Sequence, residues 1–112
     1  MPSRSFAERV KDILTEIEEI QQMVEGLTFE SFCQDRRTIK ATLYSLAVIG
    51  EAAANLIPEV ATRYPQIPWR QMRGLRNIAI HEYFQVDLMI IWETIQSDLP
   101  GLYNSLREIA DR

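Results

Sequence analysis

From Phe6 onward, apolar residues recur at Val10, Ile13, Ile17, Ile20, Val24 and Leu27. These alternating steps of four and three keep one apolar stripe on one side of a helix, a pattern that a strand cannot bury. The same alternation returns at Leu88, Trp92, Ile95, Leu99, Leu102, Leu106 and Ile109, and its register runs straight across Pro100-Gly101. That segment is predicted to be one long helix kinked at Pro100, or two helices nearly in line. At the start of the first helix, Ser5 and Glu8 have the spacing of a capping box, and Gly26 suits a stop. Each stripe needs a partner surface, so the chain must assemble helices against helices.

The middle of the chain supplies them. After a short connector around 28–34, Asp35 is placed to cap a second helix whose stripe is Ile39, Leu43, Leu46, Gly50, Ala53 and Ile57. The small residues Gly50, Ala53 and Ala54 would let another backbone approach closely. Pro58 suits the first turn of a short helix through about Arg63, and Pro65 with Pro68 marks a connection. A further helix is predicted from about Pro68 to His81, with Trp69, Met72, Leu75, Ile78 and Ala79 available for burial. There is no alternating strand pattern and no internal repeat. The expected fold is all-α, an antiparallel bundle of four to five helices in a single domain over residues 1–112. A chain with 46% apolar and 25% charged residues suits one such core.

The single Cys33 forms no intramolecular disulfide, and no apolar run spans a bilayer, so the expected location is cytoplasmic. One histidine and one cysteine fall short of the ligands that a zinc site needs. A magnesium held by carboxylates stays open, but the reading expects no intrinsic metal and no cofactor. Net charge is −4, which excludes the overall basic footprint of a nonspecific nucleic-acid binder. Basic residues are nevertheless grouped: Arg36, Arg37 and Lys40 in one segment, and Arg70, Arg73 and Arg76 at every third position before the only histidine, His81.

Histidine exchanges a proton near neutral pH, and the planar fork of arginine matches two phosphate oxygens. The pair suits RNA cleavage in which the 2′-hydroxyl attacks the neighbouring phosphate. His81 would assist proton transfer, and Arg76 would hold the phosphate and stabilise its developing charge. On an ideal helix a separation of five puts the two side chains about 140° apart, so they do not share a face. The arginine must reach round, the helix must distort, or a second chain must help. Asn77 lies four residues before His81, on its face, and could orient the imidazole. Cleavage by internal transfer gains from an acid and a base on opposite sides of the phosphate, and two protomers would supply two histidines. From spacing alone, His81 also fits a surface or hydrogen-bonding residue. The arginine row likewise fits a solvated face or a set of ion pairs, and Glu51, beside Gly50, fits a residue facing solvent.

The motif Arg76-Asn77-Ile78-Ala79-Ile80-His81-Glu82-Tyr83 follows the Arg-x4-His-x-Tyr pattern of the HEPN domains, specifically of the HepT-like toxins of prokaryotic toxin–antitoxin pairs. Ile49-Gly50-Glu51-Ala52, the segment Tyr64-Pro65-Gln66-Ile67-Pro68-Trp69, the run from Tyr83-Phe84 to Val86-Asp87, and Ile91-Trp92 through Asp98-Leu99-Pro100 also resemble this group. The resemblance implies a homodimeric helical bundle whose arginines and histidines meet in a shared cleft, and a metal-independent endoribonuclease with Arg76 and His81 catalytic and Asn77 supporting. It also implies a partner, a minimal nucleotidyltransferase antitoxin that transfers AMP from ATP to the motif tyrosine, here Tyr83. Arg70, Arg73 and Lys40 are the expected RNA-binding cations. Glu82, an acid between histidine and tyrosine, departs from expectation and would repel phosphate or raise the histidine pKa. A second reading keeps the bundle as a non-catalytic interaction module that partners a nucleotidyltransferase and binds nucleotide or RNA phosphate.

Overall fold

The computed structural model describes residues 5–60, 62–81 and 87–111, with the side chains of 58–60 and 79–81 outside that description. Among the described residues every regular element is helical. Helix α1 (Phe6–Val24) begins as its sequence requires: the Glu8 N–H donates to Ser5 Oγ and the Ser5 N–H to Glu8 Oε1, each at 3.2 Å. Its stripe of Val10, Ile13, Ile17, Ile20 and Val24 is buried, joined by Leu14. Gly26 then takes φ +80°, a backbone conformation that only glycine enters freely, and the chain turns.

The segment expected as a connector holds a one-turn helix, α2 (Phe29–Cys33). Thr28 and Ser31 cap it reciprocally, with Ser31 Oγ in the place where a capping box usually has a longer acceptor. Its purpose is to bury Phe32, which packs against Trp92 with ring centroids 5.2 Å apart. Asp35 then accepts from the Thr38 N–H at 3.0 Å and the Thr38 hydroxyl at 2.7 Å, opening α3 (Arg36–Val60).

Helix α3 corrects the expectation of a break at Pro58, because it continues through that position to Val60. A proline so near the C-terminal end costs the helix a single main-chain hydrogen bond, which the buried face of α3 offsets. Leu46, Ile49, Ala53 and Leu56 form that face. Helix α3 is the spine of the bundle: α1 packs along one side of it and α4 (Trp69–His81) along another. The turn between α3 and α4 is pinned from within. Trp69 is buried and its indole N–H donates to the Tyr64 carbonyl at 3.0 Å, while the Tyr64 ring stacks on Phe6 at 5.8 Å.

The last segment is continuous, as its unbroken register suggested, but the irregularity lies ahead of the proline. Helix α5 (Leu88–Glu93) passes into a π-helical turn at Thr94–Asp98 and then into α6 (Leu99–Ala110). The Leu99 N–H reaches back five residues to the Thr94 carbonyl. Widening the turn in this way relieves the collision between the Pro100 ring and the carbonyl four residues earlier. Helix α6 closes on α1, where the Tyr103 hydroxyl donates to Glu18 Oε1 at 2.6 Å. No helix among the described residues is long and apolar enough to cross a membrane.

Gly50 sets the spacing of α3 and α4. A Cβ built at this position would lie 2.5 Å from the Arg76 main-chain nitrogen and 2.8 Å from its Cβ. Gly74 and Gly101 are also helical, but a Cβ at either meets nothing within 4 Å. Alanine at these three positions should therefore act with opposite signs in urea denaturation. Gly74→Ala and Gly101→Ala gain about 0.5–1 kcal/mol from helix propensity. Gly50→Ala forces two backbones apart and loses about 1–3 kcal/mol.

Candidate active site

Helix α4 turns its apolar residues inward. Trp69, Met72 and Leu75 are buried, with Ile78 partly so, while the polar residues Arg70, Gln71, Arg73 and Asn77 are exposed. Arg76 is half-buried because its backbone sits on Gly50. The side chain of Arg76 consequently starts inside the seam between α3 and α4 and leaves along it. The next residue on α3 after the glycine meets it: Arg76 Nη1 donates to Glu51 Oε2 at 2.6 Å. Among the described residues no other acceptor takes a hydrogen bond from this guanidinium.

Glu51 therefore does not simply face solvent. Its carboxyl is held below the ordinary value of 4.5, first by the hydrogen bond from Arg76, then by the charge of that guanidinium and, from farther off, by Arg9 on α1. The Asn55 amide donates to the Glu51 main-chain carbonyl at 2.8 Å, one turn along. This glutamate is the site residue that a motif reading passes over. Its signal was an acid directly after a glycine in an otherwise apolar stretch, but its partner lies 25 residues away.

The other expected residues are placed unevenly. The His81 backbone closes α4, five residues and about 7.5 Å of helix rise beyond Arg76. Its side chain, like the whole of Glu82 and Tyr83, lies outside the described residues. Asn77 is exposed beside Arg76. Arg73 and Arg70 lie about 4.5 Å and 9 Å of helix rise on the other side of Arg76, each turned about 60° from the next. They extend the positive row away from the His81 end. Lys40 is exposed on α3, eleven residues before Glu51. It lies on nearly the same face but about 16 Å away along the axis. The structure thus brings Arg76 and Glu51 together and keeps Lys40 remote from them. Since α4 turns back along α3, the positions of α3 level with the His81 end lie near Tyr44, a residue that is 71% exposed.

Two grooves lie elsewhere, one between α1 and the π-helical turn, and one between α4 and α6 lined by Met72, Leu75, Leu99 and Leu102; neither includes Arg76 or Glu51. Among the described residues no group of three or more histidine, cysteine or acidic side chains gathers to hold a metal ion.

What the seam offers chemically is a fixed guanidinium on an open face, next to a helix end that carries a histidine. Comparison with known proteins shows the family. The model of the family described as "Ribonuclease HepT-like" matches residues 13–109. A Methanocaldococcus jannaschii protein named "Putative RNase MJ0127" is 37% identical over 109 residues, spanning 97% of this chain and 90% of its own. A Caldanaerobacter subterraneus protein named "Putative RNase TTE0752" is 39% identical over 92% of each chain. The Thermococcus cleftensis "Probable ribonuclease HepT" is 35% identical, spanning 95% of this chain and 96% of its own. No solved structure gives a significant match. With a family match over most of its length and relatives above 30% identity along nearly all of it, the chain belongs to the HepT-like ribonuclease family.

Proposed function

We propose that this protein is a metal-independent endoribonuclease toxin that acts in the cytoplasm as a homodimer and is silenced by a nucleotidyltransferase antitoxin. The observation that carries the reading is the guanidinium of Arg76, held by Glu51 on the exposed seam of α3 and α4, in a chain of the HepT-like ribonuclease family. In this reading the 2′-hydroxyl of RNA attacks the adjacent phosphorus and the bond to the 5′-oxygen breaks. A neutral His81 takes the proton from the 2′-oxygen, and the protonated histidine of the second protomer gives one to the departing 5′-oxygen. Arg76 binds the phosphate oxygens and stabilises the charge that builds on them. Asn77, one turn before His81, orients the imidazole, and Arg73 and Arg70 guide the flanking backbone.

Two protomers answer the angular difficulty, because the arginine and histidine that face one phosphate need not come from the same helix. AMP on Tyr83 would set a bulky anion two residues from His81, where the RNA phosphate must come, and exclude RNA by charge and volume.

His81→Ala and Arg76→Ala should each reduce cleavage of RNA by at least a hundredfold while melting near the wild-type temperature. If folded His81→Ala protein still binds RNA and the wild type does not cleave it, the chain is a binding module and the enzyme reading fails. Co-expression with a minimal nucleotidyltransferase antitoxin of the proposed kind should raise the intact mass by whole AMP units, lost in Tyr83→Phe, and only unmodified protein should cleave.

The pH dependence separates the histidines from the glutamate. Because the Glu51 pKa is lowered, its ionised form stabilises the folded chain above the ordinary carboxylate value, a contribution lost only as pH falls through the lowered value. The ion pair is thus intact across roughly pH 5–8, where histidine titrates. Single-turnover rates should trace a bell in that window, falling in acid as the base is protonated and in alkali as the acid is lost.

A further inference from the structure

We infer that Glu51 is a positioning residue for RNA cleavage, setting the guanidinium of Arg76 where it meets the scissile phosphate. The inference rests on the reading of Arg76 as the phosphate-binding group and adds a residue that the Arg-x4-His motif does not contain.

Three observations carry it. First, consecutive residues of α3 serve one residue of α4: Gly50 admits the Arg76 backbone and Glu51 takes its head group at 2.6 Å. The base of the side chain is therefore fixed by packing and its tip by an ion pair, which leaves the long flexible stem little freedom. Second, the pair is a poor device for stability. The Arg76 and Glu51 side chains are 38% and 58% exposed, and ion pairs this open add little to a fold. The acid there acts on the arginine more than on the bundle. Third, the contact leaves the arginine competent. Arginine has five N–H donors, and Glu51 takes one on Nη1. The edge formed by Nε and Nη2 keeps both donors for two phosphate oxygens, so the carboxylate and the phosphate occupy different sides of one planar group.

The pairing also accounts for the direction of reach. An unanchored arginine on an open face reaches in many directions. Anchoring at Glu51 commits the side chain to the α3 side of the seam. Loss of the anchor leaves the charge in place but lets it wander, and small misplacements of a positioning group slow a reaction by one to two orders of magnitude.

The test compares Glu51→Ala, Glu51→Gln and Arg76→Ala with wild type in full-length protein, using a short synthetic RNA, steady-state and single-turnover kinetics, and a thermal melt of each. Glu51→Ala should lower kcat about tenfold or more with KM changed less than threefold and the melt little altered. Glu51→Gln keeps an acceptor oxygen at the same length and should recover most of the rate, which a merely structural role would not predict. If Arg76→Ala abolishes cleavage but Glu51→Ala cleaves at the wild-type rate, the inference is overturned and the ribonuclease reading stands. Faster cleavage by Glu51→Ala would overturn it too, by making the carboxylate a restraint on the arginine. Wild-type cleavage by Arg76→Ala would remove the reading on which the inference depends. Should Glu51→Ala melt early, Glu51→Gln decides alone: a folded variant with no rate advantage over alanine contradicts the role of the acceptor.

Discussion

The arrangement of this protein turns on one close approach, where the backbone of Arg76 on α4 rests on the bare Cα of Gly50 on α3. No side chain fits between the two helices at that level. The contact fixes how deeply α4 lies against α3, which faces of α4 turn inward, and where the Arg76 side chain emerges. The rest of the bundle supports it. Helix α1 backs α3 from the other side, the Trp69 and Tyr64 contacts hold the turn into α4, and α6 closes on α1.

That geometry holds a surface group at both its base and its tip. An exposed arginine ordinarily samples many rotamers, and an exposed ion pair seldom restrains it for long. Here the first atoms of the side chain are held by helix packing and only the last by charge, so the weak interaction has little freedom left to remove. A half-buried cation at the seam is also a reasonable way for an acidic molecule to meet RNA. The net charge of −4 gives no long-range attraction to a polyanion, and affinity must come from a few local contacts.

Much of this was legible in the chain. The four-three stripes of α1 and of the last segment, the Ser5–Glu8 cap, the Asp35 cap and the glycine stop all express local rules whose partners lie within a turn of each other. The small-residue patch at Gly50 was visible as a place of close approach, though not which residue approached it. Helix α2 escaped because five residues carry no period, and its real determinant is the long-range packing of Phe32 on Trp92. Pro58 suggests a break that α3 does not make, whereas the unbroken register across Pro100 predicts the continuity that is found. A proline forbids one hydrogen bond, and the chain can lose that bond near a helix end or redistribute it in a π-helical turn without stopping. The spacing of Arg76 and His81 is visible in the sequence, whereas the pairing of Arg76 with Glu51 is not, since a contact across 25 residues leaves no mark in local periodicity.

The central claim is that the phosphate is attacked by its own 2′-hydroxyl at a site built from arginine and histidine. Product ends report this directly. A synthetic RNA cleaved in the presence of EDTA and examined by mass spectrometry should yield fragments ending in a 2′,3′-cyclic phosphate, each followed by a fragment beginning with a 5′-hydroxyl. Fragments carrying 5′-phosphate and 3′-hydroxyl ends, or cleavage that EDTA abolishes, would contradict the account, because they require an external nucleophile or a bound metal in place of the chemistry assigned to Arg76 and His81.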